Sequence, residues 1–325
     1  MTWSRRASSI GLVVGLALIA AGCGAERSAA PSVESVSPAS GWTRRAPAPL
    51  ALTEVAAAAH DGRIWLAGGL DADGRAVDRV SIFDPSADTW IAGPALPEPI
   101  HHSALVSDGD ALWLIGGYLG NEFDRPTDAV LQLQGSAWVE HFSLPAPRAA
   151  GAAAWDGAGR IVYAGGVGRD GVSPVVFGQT DHGWEELARL FAPREHLAAT
   201  SDGAGTVFVL GGRRGGLAGN VATVELVAGR EVTRAADLPT ARGGVAAFFW
   251  PSVGACLAGG ESSGGTNPQV ECIAADGRVT RLPDLRNARH GLGAAVVDGT
   301  VYVLLGGPQP GLFVSDAVEA LELPG

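Results

Sequence analysis

Short apolar runs recur along the chain, and six of them end in two glycines. They are IWLAGG at Gly68-Gly69, LWLIGG at Gly116-Gly117, IVYAGG at Gly165-Gly166, VFVLGG at Gly211-Gly212, ACLAGG at Gly259-Gly260 and VYVLLGG at Gly306-Gly307. The first glycines lie 48, 49, 46, 48 and 47 residues apart. Three other pairs, Gly215-Gly216, Gly243-Gly244 and Gly264-Gly265, follow Arg or Ser, so the repeating feature is the apolar run together with its pair. Such a period marks a repeat architecture.

Aligned on these pairs, each unit reads as four strands. A small-residue run comes first: VAAAA (55–59), SALVS (103–107), GAAAW (151–155), LAATS (197–201), VAAFF (245–249) and GAAVV (293–297). A polar turn follows, with Asp-Gly at 61–62, 108–109, 156–157, 202–203 and 298–299, which suits a hairpin. The run into Gly-Gly is the second strand, apolar throughout and so covered on both faces. A variable loop leads to a third run: VSIFD (80–84), AVLQL (129–133), PVVFG (174–178), TVELV (223–227), VECIA (270–274) and AVEAL (317–321). The fourth carries Trp90, Trp138 or Trp184, with Val232 and Val279 in those places in units four and five.

Four short strands repeated six times predict an all-β fold, a six-bladed β-propeller of four-stranded antiparallel blades. Alanine and glycine suit the crowded innermost strands, and tryptophan fills the wide outer rim. Unit six ends after its third strand. The stretch GWTRRAPAPL, with Trp42, has the spacing of a fourth strand and is expected to close the ring. Closure removes exposed strand edges.

Gly-Gly after the second strand, the aromatic and Asp-Pro of SIFDPSADTW, and the spaced tryptophan resemble the kelch repeat family. The resemblance covers residues 41–325 and is closest in units one and two. It implies a kelch propeller with its ligand site at the mouth of the central channel. It also implies that the loops between second and third strands share a face with the segments leading into the first strands.

Residues 1–23 read as a leader: Arg5-Arg6, an apolar run at 10–21, then Ala20-Ala21-Gly22-Cys23. The run is too short to span a bilayer. The small residues before Cys23 resemble a lipobox, which implies lipid attachment at Cys23 and an exported chain held at the extracytoplasmic face of a bacterial envelope. The alternative is an ordinary secretory leader. Residues 24–40 are rich in Ala, Ser and Pro and are expected to be a flexible tether; residues 41–325 form the propeller.

The chain has no lysine and a formal net charge of −11, which speaks against nucleic acid as a partner. Cys256 and Cys272 flank the fifth Gly-Gly pair on adjacent strands. An exported pair of this kind is expected to oxidise to a disulfide, the alternative being two buried thiols.

On the expected mouth face, the segments leading into first strands contain Glu54, His101, His102, Arg148, Arg194, Glu195, His196, Arg242, Arg289 and His290. The loops after Gly-Gly add Tyr118, Arg169, Arg213, Arg214 and Glu261. The candidate binding set is Arg148, Arg194, Arg242, Arg289, Glu54, His101, Tyr118 and Arg213. The four arginines at one repeat position form either an anion receptor or braces between blades. No catalytic set, metal site or cofactor is assigned, because no ligand spacing converges in the sequence.

Two functions stay open. One is a binding or scaffolding module for a protein, peptide or cell-envelope glycan. The other follows from the resemblance, since some exported kelch propellers are sialic acid mutarotases. It is a mutarotase or epimerase of an acidic sugar such as sialic acid, its carboxylate held by the arginines and protons moved by Glu54, Glu195, His101 or His290.

Overall fold

The computed structural model describes residues 33–35 and 41–323. The leader, Cys23 and most of the expected tether lie outside the described residues. Among the described residues the only helix is a single 3-10 turn, Leu217–Gly219.

Six four-stranded antiparallel blades follow in chain order. Blade 1 is Ala56–His60, Arg63–Ala67, Val80–Asp84 and Thr89–Ala92, and blade 2 is Ala104–Ser107, Leu112–Ile115, Val130–Gln134 and Ala137–Glu140. Blade 3 is Ala152–Trp155, Ile161–Ala164, Val175–Thr180 and Gly183–Arg189, and blade 4 is Ala198–Ser201, Thr206–Leu210, Val224–Ala228 and Glu231–Arg234. Blade 5 is Ala246–Trp250, Gly254–Ala258, Val270–Ile273 and Val279–Leu282. Blade 6 is Gly293–Val297, Thr300–Leu304, Val318–Glu322 and, from the other end of the chain, Thr43–Arg44.

The expected closure is present: Thr43 pairs with Ala320 and Arg44 with Glu319. The innermost strands touch in order round the axis, and that of blade 6 meets that of blade 1. Val33–Ser35, inside the segment expected to be a tether, lies parallel to Val279–Arg281 on the outer edge of blade 5.

The hydrophobic effect acts mainly between blades. Six apolar clusters fill the six interfaces, for example Ile64, Leu66 and Phe83 of blade 1 against Ala295, Tyr302 and Leu304 of blade 6. At the rim, indole N–H groups tie blades 1, 2 and 6 each to the one before. Trp90 donates to Ala46 O at 3.0 Å, Trp138 to Pro94 O at 2.9 Å and Trp42 to Pro283 O at 2.8 Å.

The glycine pairs have a shared task. The N–H of the second glycine donates to a carbonyl of the next blade: Gly69 to Ile100 O, Gly117 to Arg148 O, Gly166 to Arg194 O, Gly212 to Arg242 O and Gly260 to Arg289 O, at 2.8–3.0 Å. The approach leaves no room for a side chain, since a Cβ on Gly68 would stand 2.4 Å from Ile100 O, and φ there is +64°. Blade 6 departs from the sequence alignment. Gly306 donates to Leu52 O at 3.0 Å, so the paired positions are Leu305 and Gly306, not Gly306 and Gly307. Leu305 takes the left-handed place at φ +58° with its side chain buried. Gly307 falls one position later, where its missing side chain makes room for the His290 ring.

Cys256 and Cys272 are opposite one another in register on adjacent strands and are joined by a disulfide with an S–S distance of 2.04 Å.

Candidate functional site

Each first strand is preceded by three residues with separate jobs. The triplets are Leu52-Thr53-Glu54, Ile100-His101-His102, Arg148-Ala149-Ala150, Arg194-Glu195-His196, Arg242-Gly243-Gly244 and Arg289-His290-Gly291.

The first residue of the triplet points into the blade. Arg194, Arg242 and Arg289 are at most 1% exposed. Arg194 reaches Glu225 at 3.0 Å and donates to the carbonyls of Gly211 and Thr223. Arg242 reaches Glu271 at 2.6 Å and the carbonyl of Leu257. Arg289 pairs with Glu319 and donates to the carbonyls of Leu305 and Ala317. Burial pushes all three guanidinium pKa values down, Arg194 to about 10. Arg148 has no acid partner. It lies over the Phe177 ring and donates to Ser173 Oγ at 3.0 Å. Of the two readings of these arginines, anion receptor or brace, the contacts of Arg194, Arg242 and Arg289 fit the brace, their N–H groups being spent on a buried carboxylate and strand-end carbonyls.

The second residue pairs with the residue after Gly-Gly, which confirms that these two sets of segments share a face. His101 pairs with Tyr118, Glu195 with Arg213, Gly243 with Glu261 and His290 with Gly307.

The third residue lines the axis. All six have left-handed backbone: φ is +54° at Glu54, +55° at His102, +52° at Ala150, +52° at His196, +65° at Gly244 and +59° at Gly291. Main-chain bonds link them in a ring: His102 N–H to Glu54 O, Ala150 to His102, His196 to Ala150, Gly244 to His196, Gly291 to Gly244, and Val55 back to Gly291. Glycine adopts this conformation without strain. A non-glycine residue pays about 1 kcal/mol or more for it. Glu54, His102 and His196 hold it nonetheless, which marks their side chains as functional candidates.

Those side chains converge. His102 Nε2 stands 3.2 Å from Glu54 Oε2 and 3.0 Å from His196 Nε2. His290 Nε2 is 3.6 Å from Glu54 Oε1. His196 Nδ1 is hydrogen-bonded to Glu195, whose other oxygen accepts from Arg213 Nε at 2.9 Å. Arg213 also reaches Glu261 at 2.7 Å. His101 Nδ1 meets His102 Nδ1 at 2.6 Å, and its ring packs against Tyr118 and Phe123.

Burial dominates the protonation states. It holds His102 down to about 3, with Arg213 and His290 adding to it, and His101 down to about 4, with His102 adding to it. His196 is pushed well below the usual range by the same cause. Burial raises the Glu54 carboxyl against the opposing pull of His290, and raises the Tyr118 phenol. The three histidines are therefore neutral electron-pair donors at pH 7. The axial cavity lined by Glu54, His102 and His196 holds about 80 Å³.

Of the predicted set, Glu54, His101, Tyr118 and Arg213 do come together at this mouth, and the four first-position arginines do not. His102 and His196, two of the four histidines that the sequence lets converge on the funnel, meet at the axis, and Glu261 joins the network through Arg213. Their central place was legible only by aligning the triplets residue by residue.

Residues 51–97 match the Kelch motif. The chain is a six-bladed propeller carrying a Kelch motif. The chain is similar to Kelch-like protein terF of Aspergillus terreus, 27% identical over 305 residues, which cover 87% of this chain and 56% of that protein. Beta-scruin of Limulus polyphemus is 29% identical over 115 residues, 33% of this chain and 12% of that protein. The chain thus spans about half the length of the first of these relatives and less of the second. The solved structure of YjhT superposes with a TM-score of 0.71 at 13% identity, over 84% of this chain and 95% of that one, which shows a shared fold.

Proposed function

We propose that the kelch propeller is an exported binding module that holds a protein partner across its mouth face, tethered to a membrane through Cys23. The observation that carries the reading is the rim of that face. Phe123, Leu312 and Phe313 are each about half exposed, at 49%, 50% and 48%. They sit on loops between second and third strands, Phe123 stacking on His101 and His102 and Leu312 lying beside Gly74 of the blade 1 loop. Large apolar side chains displayed round a polar centre are what an interface core is built from.

Support for export and lipid attachment comes from the leader pattern and from the Cys256–Cys272 pair. The acidic-sugar isomerase reading loses its main support. Its arginines are spent inside blades 4 to 6, Arg213 lies between Glu195 and Glu261, and the axial cavity of about 80 Å³ is far below the roughly 300 Å³ where small-molecule pockets begin.

The test is direct binding of envelope-fraction proteins and of a glycan array to the purified protein, beside Phe123→Asp, Phe313→Asp and the outer-rim control Ile91→Asp. A protein ligand lost in the first two variants and kept in the third supports the reading. Retention in all three, or binding of glycans alone, overturns it. Separately, Cys23→Ser is expected to move the protein from the membrane to the soluble fraction.

A further inference from the structure

We infer that Glu54, His102 and His196 form a mononuclear site for a first-row divalent metal ion, of the zinc class, at the propeller axis. The inference does not rest on the partner-binding reading. It starts from the donor atoms: one carboxylate oxygen and two imidazole Nε2 atoms, all within 4.8 Å of one another. Two histidines and one carboxylate are a ligand set that zinc and its neighbours accept, with further positions left for water or a ligand.

Two of the three spacings fit an ion directly. Ligands held at about 2.0–2.1 Å from a metal stand about 2.9 to 3.4 Å from each other, the edge of a tetrahedron or octahedron. The edges are 3.0 Å between His102 and His196 and 3.2 Å between His102 and Glu54; the third, between Glu54 and His196, is longer but within 4.8 Å, so the Glu54 carboxylate has to turn inward as the ion binds. Without an ion, a single hydrogen on His102 Nε2 has to serve both neighbours. With one, three electron pairs meet on a common acceptor.

The surroundings orient the ligands as a metal centre requires. Glu195 holds the Nδ1 proton of His196, which leaves its Nε2 bare and aimed inward, and Arg213 in turn fixes Glu195. A carboxylate behind a ligating histidine sets the tautomer and raises ligand basicity. His101 stands in the same relation to His102. His290 Nδ1 lies 3.1 Å from Gly307 O, which holds its ring with Nε2 toward Glu54 at 3.6 Å. In the contacting network round the axis, three carboxylates, Glu54, Glu195 and Glu261, face Arg213, a balance that favours a cation. The left-handed backbone common to all six ring positions turns these residues to the axis, where side chains from blades 1, 2 and 4 reach a common point.

The experiment uses the full-length untagged protein, stripped with EDTA and dialysed. Zinc is titrated against a chromophoric chelator, bound metal is measured by mass spectrometry, and cobalt is added as a spectroscopic probe. The expected result is one zinc per chain and cobalt absorption bands of a nitrogen- and oxygen-ligated site. Both are lost in the His102→Ala, His196→Ala double variant and unchanged in His182→Ala, an exposed histidine. Glu195→Gln is expected to weaken affinity about 10- to 100-fold while unfolding like the parent. Glu54→Gln, which keeps the shape, replaces the double variant if the latter does not fold. No zinc or cobalt uptake, or uptake unchanged in the ligand variants, overturns the inference.

Discussion

In blades 4 to 6 an arginine enters the blade and meets a glutamate on the third strand: Arg194 with Glu225, Arg242 with Glu271 and Arg289 with Glu319. In blades 1 and 2 the same two places hold Leu52 with Ser81 and Ile100 with Leu131, and in blade 3 Arg148 with Phe177. The backbone is the same in all six. Blades 1 to 3 fill these places without an ion pair, and blades 4 to 6 with a complete one whose remaining N–H groups satisfy strand-end carbonyls. The difference shows that the arginine is not there for a ligand, since blades without it still deliver their next two residues to the mouth.

The first way to break this comparison is to remove one member of a pair. Arg242→Ala or Glu271→Ala is expected to cost about 3–5 kcal/mol in urea unfolding, because an uncompensated charge is left buried. The double variant Arg242→Met, Glu271→Leu, which copies blades 1 and 2, is expected to recover most of that loss. A single substitution costing under about 1 kcal/mol would mean the pair is not a brace.

Blade 5 has a second staple. Replacing Cys256 and Cys272 by Ala is expected to cost about 3 kcal/mol by loop-closure entropy, read from unfolding midpoints with and without reductant. An unchanged midpoint in the parent on reduction would remove the staple from the account.

The mouth gives a pH test on metal-stripped protein. His101 and His102, held down to about 4 and about 3, and His196 beside them stay neutral in the fold, while the unfolded chain takes up protons from the ordinary 6.5 downward. The unfolded state binds more protons throughout that window, so stability falls as pH drops from 6.5 toward 3. Between pH 7 and 6 the loss is about 0.7 kcal/mol per histidine, or about 2 kcal/mol for three. The raised Glu54 carboxyl acts with the opposite sign, but only above 4.5 and as one group. A urea midpoint that holds or rises on acidification would contradict these protonation states.

The smallest effect is expected in blade 3. Arg148→Met removes a cation over Phe177 rather than half of an ion pair, and should cost within about 1 kcal/mol. A loss as large as that of Arg242→Ala would erase the distinction between the blades.

The fold was legible because its signals are local and repeated. Gly-Gly recurs six times, Asp-Gly turns five and the spaced tryptophan four, each reflecting one need that recurs from blade to blade, and Trp42 announced the closing strand. Leu305 was misread for the same reason: the visible pair Gly306-Gly307 matched the pattern, while hydrogen bonding places the turn one residue earlier, with a buried leucine accepting positive φ. The arginines stayed open between receptor and brace because one-letter spacing gives the repeat position but not the direction of the side chain. Only the glutamates at 225, 271 and 319, in register across two strands, tell that story. Glu54, His102 and His196 are 48 and 94 residues apart and become neighbours only through ring closure.

One measurement separates the braces from the site: urea unfolding of Arg242→Ala and His196→Ala with and without zinc. The account predicts that Arg242→Ala loses about 3–5 kcal/mol yet keeps the zinc-induced gain, about 2.7 kcal/mol at one hundred times the dissociation constant. His196→Ala should stay near the parent in stability and lose that gain. If Arg242→Ala abolishes the zinc effect while leaving stability intact, or His196→Ala leaves the effect untouched, the division between brace and site is wrong.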